Sequence, residues 1–306
     1  MNPLPLVTAS ELEHLYHHVI EHRPAVQRGR GVMHSGAFAS AFRGHGLEMA
    51  DVRPYQWGDD LRHMDWRATA RSGKPTTKVF VDERLRSVFV AVDRGPTMAF
   101  GTRGQVKAAL AARVAAIWTF TALANHESAG GVVHDRETRF FPVARTLDGA
   151  LPLLHRAAAP LPPWHDSHPA APDMSLKALL HHTHSAAPPQ SSVCLISDFT
   201  ELNDAHLPAL LQLAEQRAVM AIHIEDPAEH TLPRAGVLRM ISPVTGRRYT
   251  IDTADEALRA RYAEAMAERR AAATALFSRA GIPRIPLSTD HDPLQQLAQT
   301  PWAMTL

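Results

Sequence analysis

Residues 88–92 (VFVAV) form an unbroken apolar run that stops at a carboxylate, Asp93, and a turn comes next at Gly95-Pro96. A run apolar at every position suits a strand buried on both faces, the pattern of a central strand in a parallel sheet. Ser192 to Ser197 repeats it and ends at Asp198, and Val219 to Ile224 is a third such run. Between these runs the apolar period changes. Val106, Leu110, Val114, Ile117 and Thr121 recur at spacings of four and three, which marks a helix. Apolar strands alternating with helices predict βα units around a largely parallel sheet. In open sheets of this kind, function sits beyond the carboxyl ends of the strands. Asp93 and Asp198 are therefore the first residues to watch.

The remaining pattern fills in the same architecture. Gly130–His134 and Thr138–Phe141 read as a strand pair around Asp135, and Leu147–Leu154 as a short helix. A Pro/His-rich loop precedes a helix over Ser175–His184. Leu207–Gln216 is a further helix. A Thr245-Gly246 turn inside Pro233–Ile251 predicts a hairpin. A long helix marked by Leu258, Tyr262, Met266, Ala273 and Phe277 ends at Gly281, before a last strand at Ile282–Leu287 and a tail helix at Asp292–Leu297.

The first 85 residues have a different texture. Ser10 to Glu13 reads as a capping box opening a helix to about His22, with Leu12, Leu15, Tyr16, Val19 and Ile20 on one face. Next is a Gly/Arg-rich stretch from Gln27 to Gly46, whose glycines neither follow a strand nor open a helix, so it does not fit a dinucleotide loop. Leu47–Trp57 and Lys78–Glu83 read as extended. The chain thus divides into an N-terminal extension, 1–85, and an α/β domain, 86–306.

With 306 residues and 45% hydrophobic composition, a large core is available. The net charge of +1 gives no reason to expect nucleic acid as a partner. One cysteine, Cys194, excludes an intramolecular disulfide and points to a reducing, cytoplasmic setting. The start lacks the features of a signal peptide. Val106–Ala124, the most apolar window, carries Lys107 and Arg113 and reads as a core helix rather than a membrane segment.

Two constellations could carry chemistry. Asp93, Thr97 and Asp198 offer hard oxygen ligands suited to Mg²⁺ or Mn²⁺ if their strands are neighbours at the switch point. Alternatively each aspartate caps the helix after its strand. The second is Arg53–Arg71 (RPYQWGDDLRHMDWRATAR), which interleaves arginines and acids with Tyr55, Trp57 and Trp66. It fits an ion-pair and aromatic network, a partner surface, or an acid/base site using an aspartate and His63. The interleaved acids speak against phosphate binding. The scattered histidines show no zincin spacing.

Within that stretch, Arg53, Tyr55, Gly58, Asp59, Asp60, Arg62, Asp65, Trp66 and Arg71 resemble the signature of the bacterial "domain of unknown function 58" family, with Met64 at its isoleucine position. The order of the later segments is similar too: a strand ending in Asp93, then Ser197-Asp198-Phe199, the Asp226-Pro227 and Glu229 cluster, and Ser288-Thr289-Asp290. The resemblance implies an α/β, doubly wound, mostly parallel von Willebrand factor A-like domain with an N-terminal β-containing extension. It implies a metal-ion-dependent adhesion site with Asp93, Thr97, Ser175 and Asp198 as ligands. Gly95 stands where that motif has a serine ligand. It further implies a non-enzymatic adaptor for a MoxR-type AAA+ ATPase and its client, in complex assembly, remodelling or metal insertion. A Mg/Mn-dependent hydrolase using Asp93 and Asp198 is the alternative.

Overall fold

The computed structural model describes residues 4–22, 48–55, 64–81, 87–162, 176–242 and 244–300. Their helices are α1 (Ala9–Glu21), α2 (Trp66–Ser72), α3 (Lys107–Ala124), α4 (Leu147–Ala158), α5 (Leu176–Ala186), α6 (Leu207–Gln216), α7 (Glu256–Arg279) and α8 (Pro293–Ala298). The strands are β1 (Glu48–Pro54), β2 (Thr76–Val81), β3 (Ser87–Asp93), β4 (Ser128–His134), β5 (Thr138–Ala144), β6 (Ser192–Ser197), β7 (Ala218–Glu225), β8 (Val237–Ile241), β9 (Arg248–Asp252) and β10 (Arg284–Ser288).

Six strands form the central sheet in the order β10-β7-β6-β3-β4-β5. All neighbours are parallel except β4 and β5, which the Asp135 turn makes antiparallel. The sheet is therefore mixed and mostly parallel, as the alternation of strand and helix patterns predicts. From β3 the chain goes first to β4 on one side, then returns to β6 on the other. The crevice between the ends of β3 and β6 is the switch point of the sheet.

Period-2 alternation sends the side chains of each central strand to two cores. Val88, Val90 and Val92 of β3 join Cys194 and Ile196 of β6 and Met220, Ile222 and Ile224 of β7 under α3. Phe89, Ala91, Val193, Leu195, Val219 and Ala221 face the opposite core with α5, α6 and Phe277. Helix α3 is the hub of the first core. It is the one helix among the described residues long and apolar enough to cross a membrane, and 89% of it is buried in the fold.

The described residues of 1–28 and 86–306 form one compact unit, and those of 29–85 another. Helix α1 thus groups with the sheet rather than with the rest of the extension. Leu12 and Leu15 are buried, Arg113 of α3 meets Glu11 at 2.6 Å, and Tyr16 stacks edge-on against Phe120 at 5.3 Å. The cap of α1 is Thr8 with Glu11, two residues before the Ser10–Glu13 pair the sequence suggests, while Ile20 is exposed. Both pairs have capping-box spacing, so local pattern alone does not choose between them.

In the second unit β1 and β2 are antiparallel, with Arg53 opposite Thr77. Helix α2 arises inside the signature segment, where the sequence pattern predicts no helix. It opens at Asp65, whose Oδ1 accepts from the amides of Arg67 and Ala68 at 3.0 Å each, and closes at Gly73 with φ +67°.

A lysine-filled crevice as the candidate functional site

Asp93 ends β3, and its carboxylate closes a tight turn rather than capping a helix. Oδ1 accepts from the Gly95 amide at 2.8 Å, and Oδ2 accepts from the Ser197 hydroxyl at 2.5 Å. A Cβ at residue 95 would stand 3.1 Å from Oδ1, which gives Gly95 a packing reason where the motif has serine. The next residue, Arg94, is fully buried. Its guanidinium donates to the carbonyls of Arg156, Ala159 at 2.7 Å and Pro160 at 2.8 Å at the end of α4. That anchors the loop carrying Thr97, because an arginine suits the carbonyl-rich C-terminus of a helix.

Asp198 comes directly after β6 and faces the same crevice. Oδ1 accepts from the Thr200 amide at 3.0 Å, and the Thr97 hydroxyl also hydrogen-bonds the carboxylate. Its Oδ2 lies 2.6 Å from Nζ of Lys107, the first residue of α3. The same ammonium lies 2.6 Å from Oε1 of Glu229 and 5.8 Å from the Phe100 ring centroid. Only 1% of the Lys107 side chain is exposed. A lysine at a helix N-terminus opposes the helix dipole, and two carboxylates offset that.

Glu229 is presented by the turn after β7. Its Oε2 accepts from the Asp226 amide at 3.0 Å, which leaves Oε1 for Lys107. Asp226 is itself buried and receives the Thr102 amide at 2.8 Å, the Thr289 hydroxyl at 2.6 Å, the Ala228 amide at 3.0 Å and the Thr102 hydroxyl. These bonds tie the turn to the loop before α3 and to the end of β10. Nearby, a small cleft is lined by Asp198, Thr200, His223, Glu229, His230 and Arg269.

The charges follow from these contacts. Burial disfavours the Lys107 ammonium, but Asp198 and Glu229 outweigh it and hold its pKa above the ordinary value. Burial likewise raises Asp198, yet Lys107 and the hydrogen bonds to Thr200 and Thr97 win and keep it ionised. Asp93 lacks such a cation. Burial, with the negative charge of Asp198, pushes it up to about 7. Burial, with Arg284 beside it, pushes His223 down to about 3, so its imidazole is neutral near pH 7.

Of the four residues expected to ligate a metal, the fold brings Asp93, Thr97 and Asp198 together, and Ser175 lies outside the described residues. A divalent ion does not fit the crevice as arranged. Both Asp93 oxygens are engaged, Gly95 supplies no ligand, and the Lys107 ammonium already neutralises Asp198 from 2.6 Å. The helix-cap alternative for Asp93 and Asp198 also gives way: one holds a loop and the other a lysine. The sequence signal for Lys107 was present as a lone lysine opening the most apolar helix.

In the signature segment, Asp65 is a helix cap, Trp66 is 67% exposed, and Arg71 donates to the Arg67 carbonyl at 3.3 Å. The Tyr55 amide donates to the Pro75 carbonyl at 2.9 Å, and Arg53 is in β1. Gly58, Asp59, Asp60 and Arg62 lie outside the described residues.

Residues 51–272 match the family described as "protein of unknown function DUF58". The chain belongs to this family. An uncharacterized protein of Mycobacterium tuberculosis is 29% identical over 275 residues, covering 89% of this chain and 84% of that one. A shorter match reaches Paracoccus denitrificans. There an uncharacterized protein in the moxR 3′ region is 35% identical over 91 residues, 29% of this chain and 85% of that one. Among solved structures, BatB from Bacteroides thetaiotaomicron, a conserved hypothetical protein, covers 70% of this chain and 94% of its own at 12% identity and a TM-score of 0.41. An aerotolerance-related membrane protein of Bacteroides fragilis gives 13% identity and a TM-score of 0.37, over 63% and 99% of the two chains.

Proposed function

We propose that this DUF58 protein is a non-enzymatic interaction module, an accessory partner of a MoxR-type AAA+ ATPase, working in the cytoplasm on the assembly or remodelling of a client. The observation that carries the non-enzymatic part is the saturated crevice. Asp198 and Glu229 are paired with Lys107. Asp93 is engaged by Ser197 and the loop. A hydrolase would need a carboxylate free to activate water or hold a metal. The position of the Paracoccus relative 3′ of moxR supports the ATPase as partner. The switch-point crevice of a mostly parallel sheet supports a von Willebrand factor A-like reading, with Lys107 as its resident cation in place of a divalent ion. The exposed Trp66 of the signature offers a side chain for recognition.

The test is affinity capture of the tagged full chain from native lysate, with mass spectrometry of the captured proteins and binding to the purified ATPase. Recovery of a MoxR-type ATPase that also binds the purified protein is the expected result. Repeated recovery of no AAA+ ATPase overturns the partner assignment.

A further inference from the structure

The hairpin β8–β9 is a two-stranded sheet of its own. Its register places Leu238 opposite Ile251 and Met240 opposite Tyr249, so one face is wholly apolar. Toward the tip that face is open: Met240 is 37% and Tyr249 49% exposed. The other face pairs Val237 with Asp252 at the root, Arg239 with Thr250, and Ile241 with Arg248 toward the tip. From Pro233 to the end of β9 the sequence has arginines at 234, 239, 247 and 248 against one acid, Asp252, at the root of the hairpin. In a chain of 32 basic and 31 acidic residues, this is a local concentration of one sign.

The base of the hairpin is fixed. Thr253 is fully buried, and its amide and hydroxyl donate to the Gly236 carbonyl at 2.8 and 2.7 Å. Its hydroxyl accepts from the Ala235 amide at 2.9 Å, and Arg259 holds its carbonyl at 2.6 Å. The ribbon is thus held at its root while its tip carries exposed apolar groups. A two-stranded hairpin alone is marginal in water and gains most from a third strand.

We propose that this ribbon is a docking arm for an extended acidic segment of a partner protein, a proposal that rests on the interaction-module reading above. The segment adds as a third strand, lays apolar side chains on Met240 and Tyr249, and sets carboxylates against Arg239, Arg247 and Arg248. Tyr, Met and Arg are the side chains enriched in such contacts. An anionic bilayer supplies the charge but cannot satisfy the open backbone edges. A second copy supplies edges but brings arginine against arginine.

The test places the photo-cross-linking residue benzoylphenylalanine at position 249 of the full chain in cells, with position 211 on α6, where Leu211 is 45% exposed, as control. The expected adduct maps to an acidic stretch of another protein. Its yield falls at least about fivefold with Arg239→Glu and Arg248→Glu while the melting curve is unchanged. An adduct on lipid, on a second copy or on a non-acidic stretch overturns the proposal, as does a yield no higher than at position 211 or insensitive to the charge reversals. If the cross-linked protein is acidic at the contact but not an AAA+ ATPase, the docking arm stands and the ATPase assignment fails.

Discussion

Lys107 Nζ and Asp198 Oδ2 lie 2.6 Å apart inside the fold although 91 residues separate them in sequence. The pair, with Glu229 as its third member, joins the start of α3 to the ends of β6 and β7. Removing one partner of such a group leaves a buried charge uncompensated. Lys107→Met is therefore expected to cost about 3–5 kcal/mol in urea unfolding. A loss under about 1 kcal/mol would mean that the ammonium is not the keystone of the crevice.

The same pair predicts how the crevice treats metal. Millimolar Mn²⁺ or Mg²⁺ should give no calorimetric heat with the wild-type chain. Lys107→Ala frees the Asp198 and Glu229 oxygens that the ammonium holds, and its melting temperature should rise by about 2–4 °C with Mn²⁺. Saturable heat in the wild type that disappears in Asp198→Ala would restore the metal site of Asp93, Thr97, Ser175 and Asp198.

Asp93 predicts a pH dependence. Its pKa is raised in the folded protein from 3.8 to about 7. The stabilising contribution is therefore fully present below pH 4 and is lost as pH rises through about 7. Relative to Asp93→Asn, the wild type should lose on the order of 2 kcal/mol across that window, below the full linkage value because the residue is only half-buried. Denaturation of both proteins at several pH values reads this directly, and a constant difference would contradict it.

Asp226 should behave in the opposite sense. Burial raises its pKa, but hydrogen bonds from Thr102, Thr289 and Ala228 outweigh it and hold it low. Its contribution is present above the ordinary carboxylate range and is lost as pH falls through the depressed folded value. Thr289→Val removes one donor and should cost about 1–3 kcal/mol at pH 7, and less in strong acid. Equal losses at both pH values would show that the hydroxyl acts only by packing.

The signature segment separates stability from recognition. Asp65→Ala should destabilise by about 1 kcal/mol through the lost cap. Trp66→Ala, at a 67% exposed position, should leave unfolding within about 0.5 kcal/mol yet weaken ATPase capture. Unchanged capture would remove Trp66 from the recognition surface.

Much of the fold was written locally. The apolar runs at 88–92, 192–197 and 219–224 became β3, β6 and β7, and the Thr245-Gly246 turn became the β8–β9 hairpin. Family membership was legible in Arg53–Arg71 because arginines, acids and aromatic residues follow one another there in a long, specific order. Helix α2 was missed because its seven residues are too few for a helical period to show against such mixed composition.

The sequence by itself determined where strands and helices fall, since periods of 2 and 3.6 are properties of the local backbone. It also determined that Asp93 ends one apolar strand and that Asp198 directly follows another. Only the tertiary structure decided the role of those carboxylates. Placing β6 beside β3, and Lys107 above both, is a consequence of strand order, and strand order is set by burying both faces of the whole sheet at once. No local window contains the distance from residue 107 to residue 198, so the cation of this crevice becomes visible only when the chain is folded.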